Sequence, residues 1–388
     1  MLQRLLGRRA GGADMAQKQQ GVAADAGRAL EQHPPVAVKR GHHDGGGPRI
    51  PRILRALLRR IRGLEAWRPP AEAKQPAPVL DMPPKLIPAL VPGAGQFVAG
   101  SYANFAGMRP FRLYIPGIYR GQALPLIVML HGCKQSPEDF AAGTRMNEIA
   151  EELGCFVAYP GQSKYANGSK CWNWFSPRHQ HRGRGEPSII AGITRRIIGE
   201  YGIDRRRVYV AGLSAGGAAT AVMSATYPDL YAAAGIHSGL ARGAARNVPT
   251  AFTAMRHGNA EIADLTPLAP GPAGRRPMVP TIVFHGDKDD TVHLRNADQV
   301  VEQIKLAGGA DLSEAVKQGR APTGHRYSRT LYRNAAGKTV AERWVIHDSG
   351  HAWSGGSPAG SYTDPLGPDA SREMLRFFLE HKLPEGLN

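Results

Sequence analysis

A short apolar run in the middle of this 388-residue chain leads through a serine into a stretch of small residues. Segment 208–213 is Val-Tyr-Val-Ala-Gly-Leu, and Ser214 is followed by Ala-Gly-Gly-Ala-Ala. This pattern predicts a buried strand, a tight turn at Ser214 and then a helix. Gly212 and Gly216 complete Gly-x-Ser-x-Gly, in which glycine lets neighbouring backbone pass close to a strained serine. We therefore predict that Ser214 is a nucleophile; the alternative is a solvated serine in a glycine-rich turn.

A serine hydroxyl becomes a strong nucleophile only when a base removes its proton and a carboxylate orients that base. Segment 280–285, Pro-Thr-Ile-Val-Phe-His, predicts a short strand, and an acidic loop follows it. Asp289 best fits the spacing His-Gly-x-x-Asp-x-x-Val on this loop, and Asp287 and Asp290 are the alternatives. We expect Asp289 to be the orienting carboxylate.

The base must be one of 14 histidines, most of which must be structural or solvated. Segment 340–346 predicts a strand, and the loop after it carries His347 and His351. His351 follows a glycine, which suits an imidazole that projects over the serine, and the chain order Ser, Asp, His is then complete. We predict that His351 is the base and that His347 is its competitor, whereas His285 is interpreted as a core residue.

Acyl transfer also needs two backbone N–H groups that face the developing oxyanion. Segment 125–131 predicts a buried strand that ends in His131 and Gly132, and the loop after such a strand supplies one donor. We assign this donor to the N–H of Cys133 and the second donor to the N–H of Ala215. His131 is expected to shape the loop rather than to act as a second base.

Predicted strands and helices alternate from about Phe97 onwards. Strands are predicted near 97–103, 110–116, 125–131, 155–159, 207–212, 231–236, 280–285 and 340–346. Helices are predicted near 138–153, 187–201, 215–227, 293–307 and 370–381. This alternation indicates a mostly parallel sheet with helices on both faces and a site at the carboxyl ends of the strands. The long Pro- and Gly-rich segment 240–278 predicts a cap or lid beside that site.

The N-terminal region differs from the rest of the chain in composition. Residues 1–95 are rich in Gly, Pro, Arg and Ala and are predicted to be largely disordered, with 96–388 as the catalytic domain. Residues 1–70 carry 14 basic and 5 acidic residues, a net +9 of the total +17, so the basic excess does not indicate a nucleic-acid enzyme. Segment 50–64 places Ile, Leu and Arg at the spacing of a short basic amphipathic helix. Such a helix could lie on a membrane or granule surface, dock on the protein itself or bind a partner.

The sequence gives no support to several other classes of protein. His179 and His181 form a His-x-His pair without a third ligand at metal spacing, so no metal or cofactor is predicted. The sequence contains no run of 18 or more apolar residues, so it predicts no membrane span. Segment 1–9 is basic but lacks the apolar core of a signal peptide, which makes a cytoplasmic location the alternative to export. Cys155 begins an apolar strand and is expected to be buried.

Five short motifs, taken in order, resemble the polyhydroxybutyrate (PHB) depolymerase family of esterases, which is also close to feruloyl and acetylxylan esterases. They are His131-Gly-Cys-Lys-Gln135, Cys171-Trp-Asn-Trp-Phe175, Gly212-Leu-Ser-Ala-Gly216, His285-Gly-Asp-Lys-Asp289 and Gly350-His-Ala-Trp-Ser-Gly-Gly356. The resemblance covers roughly residues 96–383 and implies an α/β-hydrolase fold with extracellular relatives. It implies that Ser214, Asp289 and His351 form a catalytic triad. It also suggests a disulfide between Cys133 and Cys171.

The predicted activity is that of a serine carboxylic ester hydrolase that works through an acyl-enzyme and without a cofactor. The expected substrates are polyhydroxybutyrate-type polyesters, their oligomers or short-chain esters, with a feruloyl or acetylxylan esterase as the alternative. A serine peptidase of the same fold and an inactive granule- or membrane-associated binding protein are further alternatives. Trp172, Trp174 and Trp353 are the rings expected on the substrate side, although such a cluster is as often part of a core.

Overall fold

One large sheet organises the part of the chain that the structure describes, residues 95–258, 279–308 and 312–385 of a computed structural model. Its strands are β1 (Gln96–Asn104), β2 (Gly107–Ile115), β3 (Leu126–Leu130), β4 (Phe156–Pro160), β5 (Val208–Leu213), β6 (Ala233–His237), β7 (Thr281–Gly286), β8 (Ser313–Arg320), β9 (Arg326–Arg333) and β10 (Thr339–Ile346). A separate parallel pair contains β11 (Trp353–Ser354) and β12 (Thr363–Asp364). The helices are α1 (Pro137–Thr144), α2 (Met146–Leu153), α3 (Gly185–Tyr201), α4 (Ala215–Thr226), α5 (Val248–His257), α6 (Arg295–Gly308) and α7 (Ala370–Leu379).

The strand order in the large sheet is β1-β2-β4-β3-β5-β6-β7-β10-β9-β8. The inner strands from β4 to β10 pair in parallel, whereas β1 and β2 at one edge and β9 and β8 at the other pair antiparallel to their neighbours. Parallel strands need crossover connections, and here helices supply them and cover the faces of the sheet. This is the α/β-hydrolase fold, so the prediction of a mostly parallel sheet is confirmed.

Alternate side chains of the inner strands enter two different cores. In β3, Leu126, Val128 and Leu130 pack with α3 and α4 on one face of the sheet. Ile127 and Met129 pack with α1, α2 and α7 on the other face. All five are fully buried, and burial of each such side chain stabilises the fold by roughly 1.5–3 kcal/mol. The two cores therefore fix the ends of the strands, where the predicted site residues lie.

The structure corrects several predicted elements. The single helix predicted at 138–153 is two helices, because Arg145 adopts a left-handed backbone with φ 55° and its N–H closes α1 on the carbonyl of Ala141. Strands β8 and β9 were not predicted, and β8 is exposed along most of its length and lacks apolar alternation. Helix α5 was not predicted either, and it lies within the segment expected to form a cap.

Some of the sequence predictions fall outside the described residues. Of the predicted cap at 240–278, the structure describes 240–258, and the remainder lies outside. The predicted disordered region 1–95 lies outside apart from Gly95, and so does the predicted helix 50–64. Among the described helices, none is long and apolar enough to cross a membrane. Cys155 is a buried free thiol, as expected.

Candidate active site

Ser214 occupies a strained turn between β5 and α4. Its φ of 57° and ψ of −119° form a backbone conformation that residues with side chains rarely adopt. A side chain at Gly216 would collide with the carbonyl oxygen of Leu130, and one at Gly212 would collide with the backbone of Gly216. The two glycines therefore allow α4 to start directly against the end of β3. The turn holds Ser214 half-buried at the carboxyl end of the parallel strands.

Asp289 and His351 are joined by a short hydrogen bond at the same edge of the sheet. The Nδ1 atom of His351 lies 2.7 Å from Oδ2 of Asp289, whose side chain is completely buried. The other oxygen, Oδ1, accepts the N–H groups of Thr291 at 3.0 Å and Val292 at 2.7 Å. An ionised carboxylate only accepts hydrogen bonds, so Nδ1 of His351 carries the proton and Nε2 keeps a free lone pair. This is the tautomer that a general base requires.

The environment of Asp289 keeps its carboxyl group ionised. Burial alone would raise its pKa, but the hydrogen bond from His351 and the N–H of Val292 hold the pKa below its usual value. The two alternative carboxylates are placed differently. Asp287 pairs with His347 at 2.9 Å, and Asp290 is exposed.

The loops that carry Asp289 and His351 approach each other closely. A side chain at Gly286, the last residue of β7, would collide with the carbonyl oxygen of Ser349. The N–H of Lys288 donates to this same carbonyl at 3.0 Å, and the N–H of Asp287 donates to that of Ile346. The contact holds the imidazole loop against the carboxylate loop.

The predicted oxyanion donors belong to the residue after Ser214 and to the neighbouring loop after β3. Ala215 is the first residue of α4, where a helix leaves its backbone N–H without an intrahelical partner. The loop after β3 is adjacent, because a Cβ built on Gly132 would lie 3.6 Å from Cβ of Ser214. The N–H of Gly132 is used by Oε1 of Gln135 at 2.9 Å. Among the described residues, the N–H groups of Cys133 and Ala215 have no hydrogen-bond acceptor.

His131 anchors this loop from beneath. Its Nδ1–H donates to the carbonyl of Gly132 at 2.7 Å, and its Nε2 accepts the N–H of Gln162 at 3.0 Å. The indole of Trp172 donates to the carbonyl of His131 at 3.1 Å. Burial lowers the pKa of His131 to about 4, so the ring is neutral near pH 7. It fixes the loop and has no nitrogen free for a substrate.

Two of the three tryptophans expected on the substrate side belong to the core. Trp172 is 0% exposed and Trp353 is 1% exposed, and the Trp353 ring packs edge-on against Phe140. A ring without accessible surface cannot contact a substrate, so the prediction that Trp172 and Trp353 line the substrate side is wrong. Trp174 is also largely buried, but it belongs to a cluster that includes Ala215.

That cluster forms an apolar wall beside Ser214, since Ala215 is one of its members. It contains Trp174, Ala215, Ala218, Leu240, Ala244, Ala245, Ala251, Ala254 and Val292, with Cys133, Cys171, Phe175 and Met255 packed on it and only partly buried. Helix α5 is tied to the start of α6, because the buried amide of Asn296 donates to the carbonyls of Ala254 and Met255. The sequence analysis missed Met255, because the predicted cap gave no signal for a helix docked at this position.

Two further buried histidines surround the carboxylate. Nε2 of His285 lies 2.6 Å from the carbonyl of Val292 and 3.4 Å from Oδ2 of Asp289, and burial lowers its pKa. Nε2 of His237 accepts the N–H of Ser354 at 3.0 Å, and burial lowers its pKa to about 3. Sequence reasoning placed His285 in the core but gave no reason to single out His237.

A disulfide joins the loop after β3 to the segment that carries Trp174. It links Cys133 to Cys171, the pair suggested by the family resemblance. Within residues 95–258, 279–308 and 312–385, no group of three His, Cys, Asp or Glu side chains could hold a metal ion.

A family model described as "Esterase PHB depolymerase" matches residues 110–324, which is more than half of the chain. The chain belongs to this family. The matched range includes Ser214 and Asp289, whereas His351 lies beyond it.

Curated relatives carry names of the same kind. The chain is 34% identical to poly(3-hydroxyalkanoate) depolymerase C of Paucimonas lemoignei over 58% of its own length and 54% of the relative's. It is 33% identical to feruloyl esterase B of Neurospora crassa over 49% of its own length and 68% of the relative's. It is 31% identical to acetylxylan esterase A of Aspergillus ficuum over 48% of its own length and 64% of the relative's. The chain thus spans only about half of the depolymerase. The solved structure of an acetyl xylan esterase from Aspergillus awamori is 22% identical to this chain and superposes with a TM-score of 0.58. The match covers 74% of this chain and all of the esterase, which supports the assigned fold.

Because it contains buried, neutral histidines, we expect this member of the Esterase PHB depolymerase family to have a lower free energy of unfolding in weak acid. His131 and His237 have pKa values of about 4 and about 3 in the fold, against about 6.5 in an unfolded chain. Their contribution is complete above about pH 6.5 and is lost as the pH falls towards 4, because the unfolded chain then binds protons that the fold excludes. At pH 5 we expect a loss of about 2 kcal/mol per histidine. Urea unfolding between pH 8 and 5 measures this loss, and His131→Asn should make the dependence shallower; an unchanged slope would contradict the assignment.

A second prediction concerns the disulfide, whose cysteines are 38 residues apart. Closing a loop of this length should stabilise the fold by about 2–4 kcal/mol. Reduction should therefore lower the unfolding free energy of the wild type, and the double variant Cys133→Ser with Cys171→Ser should not respond to reductant. Peptide mapping without reduction checks the pairing directly. Two free thiols at these positions in protein made under oxidising conditions would reject it.

Proposed function

We propose that this protein is a serine carboxylic ester hydrolase, with Ser214 as nucleophile, His351 as base and Asp289 as the orienting carboxylate. The observation that carries the proposal is the bond of 2.7 Å between His351 and a buried, ionised Asp289, at the same sheet edge as a strained serine. Membership of the Esterase PHB depolymerase family supports the same chemistry. No cofactor is needed for any step below.

In the proposed mechanism, Oγ of Ser214 attacks the ester carbonyl carbon while its proton moves to Nε2 of His351. The negative charge that develops on the carbonyl oxygen is held by the N–H groups of Cys133 and Ala215. Nε2 then returns the proton to the leaving alcohol, and the acyl group stays on Ser214. A water molecule loses its proton to Nε2 and attacks the acyl carbon, and Nε2 then returns this proton to Oγ of Ser214 as the bond to the acyl group breaks and the acid leaves. Asp289 keeps Nδ1 protonated and offsets the charge of the imidazolium throughout.

The substrate class follows from the apolar wall and from the relatives. Phe175 and Met255 are half-buried and pack on the cluster that contains Ala215, the residue after the proposed nucleophile, and they are suited to contact a short acyl chain. We propose esters of short hydroxy acids, as oligomers or as polyester of the polyhydroxybutyrate type, in keeping with the name of the depolymerase relative. The feruloyl and acetylxylan esterases among the relatives make aromatic and acetyl esters the second candidate class.

Substitution of the three proposed catalytic residues tests the mechanism on p-nitrophenyl butyrate. Ser214→Ala and His351→Ala should each lower kcat by about 10⁴-fold or more, because the members of a triad act as a unit. Asp289→Asn should leave a small residual activity. The assignment of the base is wrong if His347→Ala abolishes turnover and His351→Ala does not. Wild-type protein that turns over none of a panel of hydroxybutyrate oligomers, feruloyl esters, acetylated sugars and p-nitrophenyl esters would sink the proposed function.

Shortening a side chain of the apolar wall tests the acyl site. Each methylene that a substrate buries is worth about 0.8 kcal/mol, so Phe175→Ala or Met255→Ala should lower kcat/KM for butyrate about tenfold more than for acetate. Phe252→Ala is the matched control, because Phe252 lies on the same helix α5 but is 41% exposed. If all three variants keep the wild-type preference for butyrate over acetate, the acyl chain binds elsewhere.

A further inference from the structure

A hydrogen-bonded set of aspartate, histidine and serine lies at the same sheet edge as the proposed catalytic residues. Nδ1 of His347 is 2.9 Å from Oδ2 of Asp287, and Nε2 of His347 is 2.9 Å from Oγ of Ser328. Since the carboxylate only accepts, Nδ1 of His347 carries the proton and the hydroxyl of Ser328 donates to Nε2. The side chains of His347 and Asp287 are 33% and 27% exposed. We call Asp287, His347 and Ser328 the outer relay.

The backbone around Ser328 does not suit a nucleophile. Ser328 lies inside β9 and pairs with Val345 of β10 on one side and with Gln318 of β8 on the other. Its φ is not in the left-handed region that Ser214 occupies. A serine within a regular strand has neighbours whose N–H groups belong to the sheet ladders, so the strained turn and the oxyanion donors of an acyl-transfer site are both missing here.

The outer relay instead connects the two loops that carry the proposed catalytic groups. Asp287 lies two residues before Asp289, and His347 lies four residues before His351. The second oxygen of Asp287 accepts the N–H of Asp348 at 2.7 Å. The side chain of Asp287 therefore holds both the ring and the backbone of the histidine loop.

Ser328 adds a third point of attachment. It fixes the far nitrogen of His347 to β9, and the N–H of His347 donates to the carbonyl of Arg326 on the same strand at 2.9 Å. The loop that ends in His351 is thus bound to the sheet at its start and to the carboxylate loop along its length. A shift at His347 would move His351 relative to Asp289.

We propose that the outer relay is a positioning device, which sets the distance between Asp289 and His351 and keeps the imidazole aligned with Ser214. The proposal rests on the proposed function and adds to it residues that do not touch the substrate. Catalytic geometry is sensitive, because a displacement of about 1 Å can cost on the order of 10²-fold in rate. Partial loosening of the histidine loop should therefore lower kcat and leave substrate binding unaffected.

The experiment compares four variants of the full chain on p-nitrophenyl butyrate. His347→Ala removes both contacts of the ring, and we expect kcat and the pre-steady-state burst rate to fall roughly tenfold with KM unchanged. His347→Asn keeps a donor for Asp287 and should recover most of this loss, whereas Ser328→Ala should fall between the two. Arg329→Ala is the matched control. It removes a bond of 2.7 Å between β9 and Glu342 of β10 without touching either loop, so it should lower Tm and leave kcat unchanged.

The outcomes separate the alternatives. The positioning role is overturned if His347→Ala keeps the wild-type kcat or if His347→Asn is as impaired as His347→Ala. It is also overturned if Arg329→Ala lowers kcat as much as His347→Ala does. Labelling with diisopropyl fluorophosphate followed by peptide mapping should modify Ser214 alone. Modification of Ser328 would show that the relay is itself a nucleophilic site and would also overturn the proposal. The proposed function is tested separately. It is still supported in each of these cases if the wild type turns over the ester and Ser214→Ala does not.

Discussion

The arrangement of the whole site depends on a backbone contact that leaves no room for a side chain. Helix α4 begins so close to the end of β3 that a Cβ at Gly216 would occupy the position of the carbonyl of Leu130. This contact forces Ser214 into its strained turn and brings the loop after β3 next to it. The proposed nucleophile and both proposed oxyanion donors are therefore set by one steric constraint, which is buried between two well-packed cores.

Around this contact, the structure uses neutral histidines as fixed hydrogen-bonding groups. His131 supports the loop after β3, and His285 and His237 lie near the carboxylate of Asp289. A buried imidazole that stays neutral can both donate and accept, so His131 joins two backbone segments without the cost of burying a charge. His351 differs because its Nε2 has no such task.

The parts of the site that could be predicted from the sequence are those with local causes. Steric demands near Ser214 appear as glycines two positions away, and chain order directed attention to Asp289 and His351, which the structure brings into contact. Burial is not local, so Trp172 and Trp353 could not be separated from pocket residues. Strand β8 was missed because it is largely exposed and lacks apolar alternation, and helix α5 was missed because it packs against α6, which lies about 40 residues further along the chain. The break at Arg145 was missed because arginine rarely takes a left-handed backbone.

The polar sequence that makes β8 hard to predict also affects the tendency of the folded protein to aggregate. This strand lies at one edge of the sheet formed by the described residues, and the backbone groups of an edge strand can offer a template to a neighbouring molecule. Its exposed positions include Glu314, Lys317 and Arg320 instead of a stripe of apolar residues. Docking a second strand there would bring charged side chains together and desolvate them. The same composition that hides β8 from pattern analysis thus disfavours edge-to-edge aggregation of the folded protein at high concentration.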